Sequence, residues 1–178
     1  MALEDLEKTY SRLILSCNRD RARATCLNNW SRFIRRRDNN TCVICGSLES
    51  VSAHHIVRKS FIPQAQYLPG NGITLCKDCH KEVHEGFNGK PDTSLPMDTQ
   101  GGEKIEVIAY LFGVLRNSSN GRDSKYYALS PDVLRMFKQF QGYDIREEFI
   151  GNDVCKAHLI WQGAPRRVIN AILRANGF

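Results

Sequence analysis

The chain has 178 residues, 42% of them hydrophobic, enough for one or two small domains with true cores. Its formal net charge of +6 and pI near 9.0 favour a polyanionic partner. No apolar run approaches membrane-spanning length, and MALEDLEKTY lacks the charged-then-apolar pattern of a signal peptide. The expectation is therefore an intracellular, cytoplasmic, reducing setting with no membrane partner.

The N-terminal segment places Leu3, Leu6, Tyr10, Leu13, Ile14 and Cys17 at helical spacing, which predicts an amphipathic helix. A second helix follows, with Cys26, Leu27, Trp30, Phe33 and Ile34 on one face. Seven arginines lie between Arg19 and Arg37 against one acid, Asp20, and a basic block beside a metal motif is well placed to hold phosphates. Asp38 to Thr41 reads as a turn. Cys45-Gly46 resembles a tight knuckle in which glycine lets amides approach metal-bound sulfur. Val51 to Val57 reads as a strand carrying His54 and His55. Residues 58–70, with Pro63, Pro69 and Gly70, read as an irregular loop. Gly72 to Leu75 is a second short strand, and Lys77 to Glu85 a helix.

Residues 86–102 hold four glycines and two prolines and predict a linker or long surface loop. Ile105, Ile108, Leu111, Phe112 and Leu115 suggest a helix, with a strand as the alternative. Ser130-Pro131-Asp132 is a helix start, with a serine cap and proline in the first turn. His158 and Trp161 lie in an apolar stretch and read as packed core residues. Pro165 opens a last helix, with Val168, Ile169, Ile172 and Leu173 inward and Arg166, Arg167 and Arg174 outside.

Of the seven cysteines, Cys42, Cys45, Cys76 and Cys79 form two CxxC pairs separated by 30 residues. Four thiolates at this spacing satisfy one tetrahedral zinc that fastens two hairpin ends. Cys17 and Cys26 read as small core residues, and Cys155 stands alone. The histidines are then surplus to the zinc. His80 and His84 are four apart on the expected helix, so their rings reach one cation. His54 and His55 are neighbours on a strand and point to opposite faces. One of them can complete a three-histidine site, and the other faces a different space. A neutral imidazole near pH 7 is suited to take a proton from water. For each histidine taken alone, a packed or helix-terminal role is the alternative.

Cys42-x2-Cys45, Ala53-His54-His55-Ile56, Asn71-Gly72-Ile73-Thr74-Leu75-Cys76-x2-Cys79-His80 and His84 together resemble an HNH endonuclease of the zinc-ribbon, ββα-metal type. The resemblance covers about residues 30–88 and implies roles residue by residue. His54, His80 and His84 would be ligands of a catalytic divalent ion, His55 the general base, and Asn71 the residue that pins the loop and orients the base. The ion in this family is usually Mg2+; histidine-rich members also take Mn2+, Ni2+ or Zn2+, and imidazole ligands bias the site toward transition metals. The implied reaction is phosphodiester hydrolysis to 5′-phosphate and 3′-hydroxyl ends. The stretch from His55 to Asn71 departs from the family only in length.

The expected fold is thus α+β: a ββα-metal HNH core with a four-cysteine zinc ribbon, flanked by N-terminal helices and a mainly helical C-terminal region. The expected divisions are 1–38, helical and basic; 39–88, the nuclease core; 89–102, a linker; and 103–178, a helical domain for DNA binding or dimerisation. Arg35, Arg36, Arg37, Arg58, Lys59, Arg166 and Arg167 are the candidate DNA contacts. Double-stranded DNA is the expected partner in a restriction or defence role, with a homodimer serving double-strand cutting. The alternatives are a non-catalytic zinc module that binds nucleic acid or protein, or a homing or phage nuclease. A secreted toxin nuclease fits less well, because that branch lacks the four-cysteine ribbon.

Overall fold

The computed structural model describes residues 3–84, 104–142 and 149–175. The fold is α+β: helices around one two-stranded antiparallel sheet. The elements are α1 (Leu3–Asn18), α2 (Arg23–Arg37), β1 (Ser52–His55), β2 (Gly72–Leu75), α3 (Lys77–Val83), α4 (Ile105–Ser119), α5 (Pro131–Phe140), α6 (Asp153–Gln162) and α7 (Arg166–Ala175). The expected linker at 89–102 lies outside the described residues, as does Glu85 of the expected third helix.

Helices α1 and α2 pack as a pair because each carries an apolar stripe. Leu6 and Leu13 are buried on the first, and Cys26, Trp30, Phe33 and Ile34 on the second. Tyr10 and Phe33 meet at a ring separation of 5.4 Å. Helix α2 ends in left-handed turns at Asn39 and Asn40, with φ of 57° and 52°, a conformation asparagine tolerates. Helix α2 also lies against both strands, with Trp30 and Ile34 beside Gly72 of β2.

Strand β1 pairs with β2 in the register Ser52 with Leu75, Ala53 with Thr74, His54 with Ile73 and His55 with Gly72. The strand expected over 51–57 is shorter than its apolar run, because Ile56 and Val57 turn into the loop while staying buried. That loop holds two 3-10 turns, Pro63–Ala65 and Pro69–Asn71, each begun by proline.

The C-terminal segment is helical, so the strand alternative at 105–114 does not arise. The Ser130 hydroxyl accepts the Val133 amide at 3.2 Å, as the Ser-Pro start implies. Helix α6 was not legible in the apolar stretch around His158. Its cap, Asn152 accepting the Cys155 amide at 2.8 Å, is the signal that marks it. His158 packs against Gly113 of α4, where an added Cβ would lie 3.2 Å from the ring.

One hydrophobic core runs from Leu6 through the sheet to Val168. Phe61, in the loop after β1, meets Phe140 of α5 at 4.9 Å, and Phe140 meets Trp161 of α6 at 5.6 Å. Arg37 is a second tie. Its guanidinium pairs with Asp38 (2.8 and 3.1 Å) and donates to the carbonyls of Pro69 and Gly72, both at 2.7 Å. It also lies 4.5 Å from the centre of the Tyr127 ring. Arg37 is only 2% exposed, which corrects its place among the candidate DNA contacts: the whole guanidinium is committed inside the protein.

Candidate active site and metal centres

The sheet and the helix after it bring together two clusters of side chains that could each hold a metal ion. Cys42, Cys45, Cys76 and Cys79 form one, with sulfur atoms no more than 4.8 Å apart. Gly46 makes the first knuckle possible: its φ of +77° is the left-handed region, and its amide donates to the Cys42 carbonyl at 2.8 Å. The Val43 amide donates to Thr74 of β2 at 3.0 Å, which fixes that knuckle beside the second pair. Cys45 and Cys76 sulfurs are 3.6 Å apart. A tetrahedron with metal–sulfur bonds of about 2.3 Å has edges of about 3.8 Å, so the spacing fits one ion.

The electrostatics agree with that fit. Burial works against ionisation of Cys42, but backbone amides of Cys45, Cys76 and Ile44 aimed at its sulfur bring its pKa down to about 7. Cys79 is pushed strongly upward by burial and by the other three thiols. Four thiolates cannot share this space without a cation, and a divalent ion removes the conflict.

The second cluster is His54 from β1 with His80 and His84 from α3 and its C-terminal cap. Their ligand atoms also lie no more than 4.8 Å apart. The three rings stand nearly perpendicular to one another, with centroids separated by 4.9, 5.0 and 4.8 Å. Mutually edge-on imidazoles direct nitrogens inward, the arrangement a cation needs. His54 is buried, and burial, then His80 and His84, hold its pKa down at about 3. Burial also lowers His84. Neutral imidazole is the form that ligates a metal, so the donor set suits a divalent transition ion.

His55 turns the other way from the cluster but borders the same cleft, along with Ala53, His54, Arg58, Lys59, Ser60, His80 and His84. Its Nε2 lies 2.9 Å from the Gln66 carbonyl oxygen. A carbonyl only accepts, so Nε2 carries the proton and Nδ1 is the unprotonated nitrogen of the neutral ring. Burial holds the His55 pKa below its ordinary value, the Gln66 carbonyl working against that and Lys59 adding to it. Asn71, fully buried, spans the loop: its Oδ1 accepts the Val57 amide at 2.8 Å, and its Nδ2 donates to Val57 at 3.0 Å and Ala65 at 3.1 Å. The segment that presents Gln66 to His55 is therefore closed by a side-chain clamp.

Among the other sequence candidates, Arg58 and Lys59 border the cleft. Arg36 pairs with Asp5 at 2.7 Å on a half-exposed surface. Arg35 is half-buried, with Nε enclosed and unpaired. Arg166 and Arg167 are exposed at the start of α7, the Arg167 guanidinium lying over Gly142. Trp30 and Gln66 are site neighbours that sequence reasoning missed; Trp30 reads as an ordinary core residue of α2, and Gln66 contributes only its backbone.

Residues 42–86 match the family model described as HNH endonuclease, so this segment is an HNH domain built on a ββα core. No curated protein and no solved structure matches the chain. No helix among the described residues is long and apolar enough to cross a membrane.

Proposed function

We propose that this chain is a metal-dependent DNA endonuclease that hydrolyses phosphodiesters to 5′-phosphate and 3′-hydroxyl ends. The observation that carries the reading is the shared cleft. A three-imidazole cluster and a fourth imidazole of defined tautomer open onto the same space. A non-catalytic zinc module has no need of the second set.

In this reading Cys42, Cys45, Cys76 and Cys79 hold a structural zinc, and His54, His80 and His84 hold the catalytic ion, Mg2+ or Mn2+ with Ni2+ or Zn2+ as further candidates. Bound there, the ion supplies positive charge beside the scissile phosphate and the departing 3′ oxygen. Nδ1 of His55 accepts a proton from the attacking water, whose oxygen then bonds to phosphorus as the bond to the 3′ oxygen breaks. The Gln66 carbonyl steadies the imidazolium that results, since Nε2–H donates more strongly once the ring is charged. Asn71 keeps that carbonyl in place. Arg58 and Lys59 hold flanking phosphates at the cleft rim.

A restriction or defence role with double-stranded DNA is the biological setting proposed. Residues 1–38 and 103–178 would flank the nuclease core at 39–88, contributing DNA or dimer contacts. A homodimer places one site on each strand. The reading is tested by the chemistry of the cut ends. Cleaved DNA should religate directly and accept radiolabel from polynucleotide kinase only after phosphatase treatment. Ends that need 3′ dephosphorylation before extension by a polymerase would remove the mechanism.

A further inference from the structure

The base imidazole is held by more than its hydrogen bond. Trp30 of α2, 2% exposed, lies flat against His55: the ring centroids are 3.9 Å apart and the planes differ by 8°. The indole is itself fixed, because Nε1 donates to the Leu68 carbonyl at 3.1 Å, two residues beyond Gln66. The same tryptophan therefore touches the face of the imidazole and ties down the loop that holds its edge.

The sequence makes room for this contact at one place. Gly72 is the cross-strand partner of His55, and a Cβ there would sit 2.6 Å both from Cζ2 of Trp30 and from Cδ1 of Ile34, the next turn of α2. With only hydrogen at position 72, the indole can slide over the end of the sheet and reach His55. An imidazole on a strand end has two soft torsions. A face contact and an edge hydrogen bond restrain both, in a ring that borders the cleft. The face contact also acts when the ring becomes charged, since an indole surface attracts a cation.

We propose that Trp30 is the positioning residue of the general base, fixing the His55 ring plane by stacking through the gap left by Gly72. The inference rests on the reading of His55 as the base. Trp30 lies on α2, twelve residues before Cys42, and is not among the motif residues to which the resemblance assigns a role.

The test compares Trp30→Phe with Trp30→Met in the full zinc-loaded chain. Both lose the bond to Leu68 and both lose buried surface, but only phenylalanine keeps a ring face. With Mn2+ and plasmid DNA, Trp30→Met should lower kcat roughly 10- to 100-fold with KM within about twofold of wild type. Trp30→Phe should recover most of that loss. In the background of His55→Ala, Trp30→Met should cost little more, since there is then no base to position.

A second measurement does not depend on activity. Long-range proton–nitrogen NMR of the metal-free histidine site should show His55 protonated at Nε2 in wild type and Trp30→Phe. In Trp30→Met and in Gly72→Ala, whose Cβ displaces the indole, it should show a mixture of tautomers. Equal kcat for the phenylalanine and methionine variants, or an unchanged tautomer in Gly72→Ala, would overturn the proposal. Full activity of His55→Ala would instead overturn the nuclease mechanism, so the two failures are distinct.

Discussion

At the residue scale the site works by making two adjacent histidines different. His54 and His55 share a strand, yet one joins a cluster of three rings and the other is turned against an indole and a carbonyl. Strand alternation separates them, and their environments do the rest. His54 gives a pH signature with a definite sign. Its folded pKa is about 3, against an ordinary value of 6.5. As pH falls through 6.5 the unfolded chain takes up a proton that the folded, metal-free site refuses. The unfolded state then binds more protons, so stability is complete above about pH 6.5 and is lost progressively as pH falls toward 3. The slope from this group is at most about 1.4 kcal/mol per pH unit. Urea unfolding of the chain with only its cysteine site loaded should show a greater loss for wild type than for His54→Leu between about pH 7 and about pH 5.5. Equal losses would show that His54 is not held neutral.

At the element scale, the site depends on α2 as much as on the strands. Helix α2 supplies Trp30 to the face of His55 and Arg37 to the loop, and Asp38 accepts the Thr74 amide at 2.9 Å. Arg37 and Asp38 form an ion pair with side chains 1% and 0% exposed. Removing one partner leaves a buried charge unanswered, so Arg37→Ala should cost about 3–5 kcal/mol in chemical unfolding. A loss below about 1 kcal/mol would place the guanidinium in water instead. The elements themselves were legible where periodicity or caps were strong: α1, α2, β2, α5 and α7 all follow from apolar spacing or a Ser-Pro or Pro signal. Helix α6 was not, because Cys155 and Leu159 lie off its buried face of Val154, Ala157, Ile160 and Trp161 and blur the apolar stripe. Arg37 was misread because a basic run looks like a solvated face, and nothing local marks the one arginine that turns inward.

At the scale of the whole molecule, the two clusters that could hold metals were legible as residues because thiolate and imidazole spacing is short-range. The contacts that hold His55 were not. Trp30, Gln66 and Gly72 reach His55 across up to 25 positions of chain, and only the folded sheet brings them together. The two clusters predict two metals with different consequences. Cys76→Ser should lose zinc and cooperative unfolding together, because that ion joins segments 30 residues apart. His80→Ala should keep the zinc and the fold while losing a second, more weakly held ion. Metal analysis of dialysed protein with thermal unfolding checks both, and one ion per chain in wild type under saturating Mn2+ or Zn2+ would contradict the two-site account.

The central claim is that His55 is the base of a nuclease, and plasmid cleavage tests it most directly. Metal-stripped wild type and His55→Ala would be incubated with supercoiled plasmid while Mg2+, Mn2+, Ni2+ or Zn2+ is restored. The account predicts metal-dependent nicking or linearisation by wild type and a loss of roughly 100- to 10,000-fold in His55→Ala, with both proteins equally folded. Equal cleavage by the two proteins would contradict the assignment of the base. No cleavage by wild type of any plasmid, modified DNA included, would leave a zinc module that binds without cutting.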